Sequence, residues 1–365
     1  MAERLRVAIA GGGTGGHLYP ALAIAKELSE RQPETEFLFF GTSGKIEARV
    51  VPQQGYPFKT IWIGGFQRRR PWRNLLLPLK VIVSLWQSWN ALRRFRPHVV
   101  IGTGGYVCGP VLAVAGLMKI PTAIHESNSY PGFTTRLLAS RVDWLLISFE
   151  DTRQWLKRTE RVTLVGTPVR KGLGLAPREG SRRIFGLDPA RPVVLILGGS
   201  LGAASINRAV ARSAMSFRDA GIQVLWQTGR DEEAVYVNSP DTAGIGHVAG
   251  FFDDMDAAYA AADLVVCRAG ASTLAEVTVI GKASILVPYP HAAADHQMKN
   301  ARSLQAAGAA IVIADRDAAE MLGQQILALV RNSDACRRMA EAARELGRPA
   351  AASEIAGIIL GMVQP

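Results

Sequence analysis

Short apolar runs alternate with longer segments of helical periodicity along most of this 365-residue chain. In the first half the pattern predicts strands at Val7–Ala10, Phe37–Phe40, Val99–Gly102, Thr122–His125, Leu145–Ile147 and Thr163–Val165. Continuous apolar runs are typical of strands that are buried on both faces. Their alternation with helices predicts a parallel sheet that is covered by helices on each side.

The same pattern restarts in the second half, after a link rich in Gly, Pro and Arg. It predicts strands at Val193–Leu197, Gln223–Gln227, Leu264–Cys267 and Ser284–Val287. The predicted fold class is therefore α/β, with two doubly wound Rossmann-like domains that face each other across a cleft. We expect an N-terminal domain at 1–166, a C-terminal domain at 167–345, and a final helical segment at 346–365 that packs on either domain and could cross back to the N-terminal one.

Composition excludes several classes of protein. The three cysteines are scattered and fit neither a disulfide framework nor a zinc site, as expected in a reducing cytosol. Residues 99–118 form an uncharged stretch of 20 residues, which is long enough for a membrane span. Gly102-Thr103-Gly104-Gly105 interrupts this stretch, however, and favours a strand, a loop and a helix instead.

The segment 67–96 carries eight basic residues and no acidic one, in a chain of formal net charge +11. Apolar and aromatic side chains, including Trp72, Trp86 and Trp89, lie between the cations. This composition suits the surface of an anionic membrane, whereas a core helix with solvated charges is an equally good interpretation from sequence. We expect no nucleic-acid partner, because the segment has no recognisable binding module.

Two glycine-rich turns follow predicted strands in the first half of the chain. Gly11–His17 leads into a helix with Pro20 in its first turn, which is the layout of a phosphate cradle. A dinucleotide site is disfavoured, because the next strand ends in Gly41-Thr42-Ser43 without an acidic residue for a ribose. Gly104-Gly105-Tyr106 forms a second anion-friendly turn, although the spacing alone favours a loop whose glycines merely permit tight packing.

Polar side chains follow two further strands. His125-Glu126-Ser127-Asn128 places a histidine, a carboxylate and an amide at a strand end. Glu276 follows a glycine turn into a helix, where it could bind a pair of ribose hydroxyls or close a capping box with Thr273. The sequence leaves these two roles for Glu276 open.

No metal or other cofactor is expected. His291 and His296 are five positions apart, which does not place two ligands on one helical face. The charge of a bound diphosphate would then be met by helix N-termini and by cations such as Arg170.

Taken in order, these motifs resemble those of one known family. The matching residues are Gly12–His17, Gly104–Tyr106, His125–Asn128, Gly166–Arg170, Gly198–Ala203 and Cys267–Glu276. They resemble the bacterial peptidoglycan N-acetylglucosaminyltransferases that convert lipid I to lipid II. The resemblance implies a GT-B fold, metal-independent chemistry, and a peripheral location on the cytoplasmic face of the cell inner membrane, with 67–96 on the anionic surface.

The resemblance also implies a set of site residues. Glu276 would take the ribose of UDP-N-acetylglucosamine, Phe252 would flank the uracil, and Gly104, Gly105 and Tyr106 would contact the lipid I acceptor. The implied donor-binding residues are Thr14, Gly15, Gly16, Asn128, Arg170, Ser200, Phe252, Ala271, Ser272, Thr273, Leu274, Ala275, Glu276 and Gln297. Some relatives carry Gln-Gln where this chain has His296-Gln297, so a sugar contact at the first position of this pair is not implied.

The implied reaction is a single displacement with inversion, in which the 4-hydroxyl of the muramoyl sugar attacks the donor. His17 is the first candidate for the general base, and Glu126 is the second. The alternatives are another GT-B enzyme (a glycolipid glycosyltransferase or a UDP-N-acetylglucosamine 2-epimerase) and a protein that binds the sugar nucleotide without turnover. The sequence does not indicate an oligomeric state.

Overall fold

A computed structural model describes residues 4–65, 75–157, 161–199 and 202–363. The chain divides into two compact units. The first comprises Met1–Val169 and Arg348–Pro365, and the second comprises Arg170–Gly347. The division after Val169 lies close to the expected one after residue 166, and the C-terminal segment belongs to the first unit.

The first unit contains a parallel sheet of seven strands and helices on both faces. Its strands are β1 (Arg6–Gly11), β2 (Glu36–Gly41), β3 (Phe58–Thr60), β4 (Val99–Gly104), β5 (Thr122–Glu126), β6 (Trp144–Ile147) and β7 (Val162–Leu164). Its helices are α1 (Gly15–Arg31), α2 (Ile46–Gln53), α3 (Leu77–Phe95), α4 (Cys108–Leu117), α5 (Phe133–Leu138) and, at the end of the chain, α14 (Ala351–Val363).

The strand order in this unit is β3-β2-β1-β4-β5-β6-β7. Val7 and Ile9 of β1 pack toward α1 and α14, whereas Ala8 and Ala10 pack toward α4 on the opposite face. Because β1 pairs with both β2 and β4, the strand order reverses between β1 and β4. Open α/β sheets bind ligands beside such a switch point, so the loops after β1 and β4 mark the candidate site of this unit.

The second unit repeats the architecture with six parallel strands. Its strands are β8 (Val193–Leu197), β9 (Gln223–Gln227), β10 (Gly246–Ala249), β11 (Leu264–Cys267), β12 (Ala283–Leu286) and β13 (Ile311–Val312). Its helices are α6 (Arg178–Ile184), α7 (Ala204–Asp219), α8 (Glu233–Val237), α9 (Met255–Ala261), α10 (Ala271–Ile280), α11 (His296–Ala306), α12 (Ala318–Val330) and α13 (Ser333–Leu346). The order β10-β9-β8-β11-β12-β13 reverses between β8 and β11.

The structure confirms the predicted α/β class, and every predicted strand is present within one or two residues of its expected bounds. Residues 99–118 form β4, a loop and α4, as predicted. Three strands, β3, β10 and β13, were not predicted. All three are short and lie at sheet edges, where the local apolar pattern is weakest.

Among the described residues, one helical stretch, Ser333–Val363, is apolar and long enough to cross a membrane by composition and length alone. It consists of α13 and α14, which residues 347–350 separate. Neither helix reaches the roughly 20 residues of a span. Ile355 and Ile359 of α14 are buried in the core of the first unit, so this stretch carries no argument for a membrane span.

Candidate active site

The glycine loop after β1 is held by a buried carboxylate that the sequence did not single out. Glu47, the second residue of α2, accepts a hydrogen bond from the backbone N–H of Gly13 at 2.9 Å. Its other oxygen accepts from the backbone N–H of Thr42 at 3.1 Å and from the Thr42 hydroxyl at 2.9 Å. Glu47 therefore joins the loop after β1 to the loop after β2.

His17 lies where the loops after β1 and β4 meet. Its Nδ1 is 3.1 Å from the carbonyl oxygen of Gly12. On the other side, a Cβ at Gly104 would stand 2.5 Å from the imidazole ring, and one at Gly105 would stand 2.4 Å from the Gly12 oxygen. Both glycines have positive φ, at 111° and 85°. The loop after β4 can therefore reach the imidazole only because these two positions lack side chains.

The strand end His125-Glu126 forms a buried hydrogen-bond network. Burial lowers the pKa of His125, whose Nε2 is 2.9 Å from the carbonyl oxygen of Gly166. One oxygen of Glu126 accepts from the backbone and side-chain amides of Asn128, at 3.0 and 3.2 Å. The other accepts from Gly132 N–H at 2.9 Å and from the Thr135 hydroxyl at 2.7 Å. Glu126 thus orients the loop that carries Asn128.

Tyr106 follows the second glycine turn, and its side chain is largely exposed. Its ring lies against the backbone of Gly65. An exposed aromatic ring that directly follows Gly104 and Gly105 is able to contact a sugar or a phosphate that binds at this edge.

In the second unit, two helices begin at the switch point without side-chain caps. The loop after β8 leads to α7, whose N-cap is Ala203, and the loop after β11 leads to α10, whose N-cap is Gly270. Neither cap residue supplies a side-chain acceptor, so the first N–H groups of both helices are available to an anion. The predicted contact Ser200 lies outside the described residues.

The start of α10 excludes one of the two roles considered for Glu276. Because α10 begins at Ala271, Thr273 is already inside the helix, and a capping box between Thr273 and Glu276 does not form. Leu274 is buried, and Ala275 is partly exposed. The hydroxyl oxygen of Ser272, in the first turn, is buried without a hydrogen-bond partner among the described residues.

The carboxylate of Glu276 is instead fixed by two other residues of the same unit. The phenol of Tyr259 on α9 donates to Oε2 at 2.8 Å, and Arg170 Nη2 donates to Oε1 at 3.1 Å. The Glu276 side chain is 18% exposed and the Arg170 side chain 47% exposed, so the carboxylate remains accessible. Tyr259 was missed from the sequence, where its only signal is a lone aromatic residue in an alanine-rich helix.

The ring of Phe252 packs inside the unit. It lies 5.5 Å from the Phe185 ring and 5.8 Å from the His247 ring, measured between centroids, and the residue is buried. Its backbone N–H donates to Oε1 of Gln227 at 3.0 Å. The ring of Phe252 is therefore occupied by packing contacts within the unit, which leaves its backbone as the part that could flank a base.

Gln297 lies at the start of α11, where its side-chain oxygen accepts from Tyr289 N–H at 2.9 Å. The two residues before this helix, Ala294 and Asp295, both have left-handed backbone conformations, with φ of 52° and 55°. Left-handed non-glycine residues carry strain and cluster at ligand sites. His296 binds its own loop through Nδ1, 2.7 Å from Ala293 O.

No group of three or more His, Cys, Asp or Glu side chains is placed to hold a metal ion in the part of the chain that the structure describes. Asp254 caps α9 by accepting from Ala257 N–H at 2.9 Å, as expected of an acid at a helix N-terminus.

Two family models match this chain: the glycosyltransferase family 28 N-terminal domain over residues 7–147 and the glycosyltransferase family 28 C-terminal domain over residues 193–355. With its two doubly wound units, the protein is a GT-B glycosyltransferase. It is 42% identical to the UDP-N-acetylglucosamine–N-acetylmuramyl-(pentapeptide) pyrophosphoryl-undecaprenol N-acetylglucosamine transferase of Moorella thermoacetica, over 99% of this chain and 100% of that protein. The chain belongs to the family of these N-acetylglucosamine transferases.

Further relatives agree with this assignment. The transferase of the same name from Chlorobaculum parvum is 43% identical, over 98% of this chain and 99% of that protein. The crystal structure of Acinetobacter baumannii MurG is similar with a TM-score of 0.79 at 28% identity, over 98% of this chain and 99% of that one. The calicheamicin glycosyltransferase CalG4 has a TM-score of 0.70 at 17% identity, with both chains fully covered, and shows the fold alone.

The role of Glu47 is testable by Glu47→Gln. An amide of the same size presents an N–H₂ group to backbone donors, so we expect the protein to lose about 1–3 kcal/mol of stability and the Gly13 amide to exchange faster. Urea unfolding and hydrogen exchange would measure this. Glu34→Gln, at an exposed surface ion pair, is the matched control and should change neither. Unchanged Gly13 exchange in Glu47→Gln would contradict the role of Glu47.

Proposed function

We propose that this protein transfers N-acetylglucosamine from UDP-N-acetylglucosamine to the 4-hydroxyl of undecaprenyl-diphospho-N-acetylmuramoyl-pentapeptide (lipid I), with inversion, to form lipid II. The observation that carries the proposal is the match, over essentially the whole chain, to transferases whose names state this donor sugar and this acceptor. The uncapped helix ends and the accessible carboxylate of Glu276 support it, because they provide what a nucleoside diphosphate sugar requires.

The second unit would hold the donor. The N-termini of α7 and α10 would bind the diphosphate through their first backbone N–H groups. Ala271 to Ala275 would line it, as would Ser200, which lies outside the described residues. Glu276 would accept hydrogen bonds from the two ribose hydroxyls, and the Phe252 backbone would flank the uracil. Arg170 and Gln297 complete the proposed donor contacts. As UDP leaves, the helix N-termini and Arg170 would stabilise its developing charge.

The first unit would supply the base and the acceptor contacts. If Nδ1 of His17 carries the proton that faces Gly12 O, Nε2 has a free lone pair, as a general base requires. Glu126 is the weaker candidate, because each of its oxygens already accepts two hydrogen bonds. We assign Glu126 the positioning of Asn128, and we assign Gly104, Gly105 and Tyr106 to the acceptor. Thr14, Gly15 and Gly16 would reach the donor.

The alternative enzymes have no comparable support. A putative UDP-N-acetylglucosamine 2-epimerase from Listeria monocytogenes has a TM-score of 0.67 but only 14% identity, which shows the fold alone. The full-length relatives above are transferases.

The reaction itself is the first test. With labelled UDP-N-acetylglucosamine and a lipid I analogue in detergent, we expect labelled disaccharide lipid at rates that EDTA does not reduce. Omission of the lipid I analogue is the control. If UDP-N-acetylglucosamine binds but no label transfers, the proposed acceptor is wrong; loss of transfer in EDTA would refute the metal-independent mechanism.

Replacing the proposed base gives a second test. His17→Ala should lower kcat by about 10²- to 10⁴-fold, the range typical of general-base catalysis, while UDP affinity and the unfolding midpoint stay near those of the parent. His98→Ala is the matched control, because this histidine directly precedes β4 and lies at the amino ends of the strands, away from His17. Near-full turnover in His17→Ala would exclude His17 as the base.

We further propose that α3 contacts the cytoplasmic membrane surface. Several large apolar side chains of this helix point outward: Ile82 is 64% exposed, Trp86 is 65% exposed and Trp89 is 41% exposed. Its buried positions include Ser84 and Ser88, whose hydroxyls donate to carbonyls of their own helix. The inward side of α3 also buries Leu92 in the core, so the exposed apolar residues are additional to its packed side, and they support a surface contact.

Cations and further apolar side chains border this face. Arg93 and Arg94 are exposed at the end of α3, and Phe133 and Leu137 are exposed on α5. The helix α4 packs against both α3 and α5, so the exposed groups belong to one side of the unit. Each cation near an anionic surface contributes up to about 1 kcal/mol. The four arginines at 68, 69, 70 and 73 lie outside the described residues.

Vesicle binding tests the membrane proposal. Replacing Ile82 and Trp86 together by serine should weaken binding to phosphatidylglycerol-containing vesicles by about tenfold or more, because two partly inserted apolar side chains are lost. The matched control replaces the similarly exposed Met215 and Val235 of the second unit by serine. Equal binding by both double variants would argue against α3 as the contact, as would equal binding of the parent to neutral vesicles.

A further inference from the structure

The environment of Glu276 contains a residue to which neither the sequence motifs nor the proposed reaction gives a role. Tyr259 belongs to α9 and Glu276 to α10, and their side chains meet through the 2.8 Å hydrogen bond from the phenol to Oε2. Tyr259 is 1% exposed, so its hydroxyl cannot exchange this partner for water. The phenol therefore keeps its hydrogen bond to one oxygen of the carboxylate.

Burial and the neighbouring carboxylate raise the pKa of Tyr259 well above its ordinary value. The phenol consequently keeps its proton at every pH at which the enzyme would work, and it remains a donor. On the other side, the Arg170 guanidinium donates to Oε1 at 3.1 Å. A carboxylate oxygen can accept more than one hydrogen bond, so each oxygen of Glu276 retains capacity for a further donor.

We propose that Tyr259 is a positioning residue that fixes the Glu276 carboxylate so that it recognises the vicinal 2′- and 3′-hydroxyls of the donor ribose. This inference rests on the proposed donor site. Two hydroxyls on adjacent ribose carbons require two acceptors at a fixed spacing and orientation. A glutamate on a helix surface has several rotamers, and the bond from a rigid, buried phenol removes most of that freedom. Arg170 is far more exposed than Tyr259, so its bond restricts the carboxylate less.

Selectivity for the ribose hydroxyls is the property that this role controls. A disturbed Glu276 would still allow the diphosphate to bind at the helix N-termini, but it would no longer accept hydrogen bonds from the two ribose hydroxyls. Loss of Tyr259 should therefore reduce the affinity for UDP and leave the affinity for a nucleotide without these hydroxyls unchanged.

The test compares UDP with 2′,3′-dideoxy-UDP by isothermal titration calorimetry. In Tyr259→Phe, UDP affinity should fall by about three- to tenfold, the range expected for one lost hydrogen bond, while dideoxy-UDP binds as it does to the parent. The KM for UDP-N-acetylglucosamine should rise by a similar factor, with kcat within about twofold of the parent. Tyr236→Phe, at a tyrosine that packs on Trp226, is the matched control and should change neither affinity.

Glu276→Gln separates this inference from the function on which it rests. If Glu276→Gln abolishes the preference for UDP over dideoxy-UDP while Tyr259→Phe retains it, the ribose contact stands and the role of Tyr259 is refuted. If Glu276→Gln retains the preference, Glu276 does not bind the ribose, and the proposed donor site fails together with the inference. If Tyr259→Phe weakens both nucleotides equally, the tyrosine only supports the fold.

Discussion

The close approach of two loops at the carboxyl edge of the first sheet determines where His17 and the glycines beside it lie. Adjacent parallel strands lie about 4.8 Å apart, so the loops that leave β1 and β4 must share a narrow space. The imidazole of His17 fills that space, and any Cβ at Gly104 would collide with it. The position of the proposed base therefore depends on a missing side chain in another loop. Glu47 restrains the loop after β1 through Gly13 and joins it to the loop after β2.

Carboxylates organise the functional edges of both units. Glu47, Glu126 and Glu276 each receive hydrogen bonds on both oxygens from groups in their own unit. They differ in what remains available: Glu47 and Glu126 are buried, whereas Glu276 is partly exposed. The first two therefore hold loops in place, and the third retains the capacity to bind. A carboxylate at a strand end is thus a poor guide to catalysis until its donors are counted.

The local pattern of apolar residues was sufficient to predict the buried strands, because their residues are apolar on both faces of the sheet. It was insufficient for β3, since Phe58–Thr60 becomes a strand only by pairing with Phe39–Gly41. The capping-box alternative failed for a local reason: α10 begins at Ala271, so Thr273 is too far inside the helix to cap it. Tyr259 and Glu47 were missed because their partners lie 17 and 34 positions away in the chain. No spacing rule links residues that only the packing of two helices, or of a helix and a loop, brings together.

The helix α3 shows why burial, rather than composition, distinguishes a core helix from a surface helix. Its serines face the unit and satisfy their hydroxyls within the helix, so they occupy the packed side without leaving a polar group unpaired. Its largest apolar side chains face outward, where water disfavours them. Arg93 and Arg94 at its C-terminal end also complement the helix dipole, so these charges need no ligand. The intrinsic stability of the helix does not explain why Ile82 and the two tryptophans are exposed. These side chains carry the proposed contact with lipid.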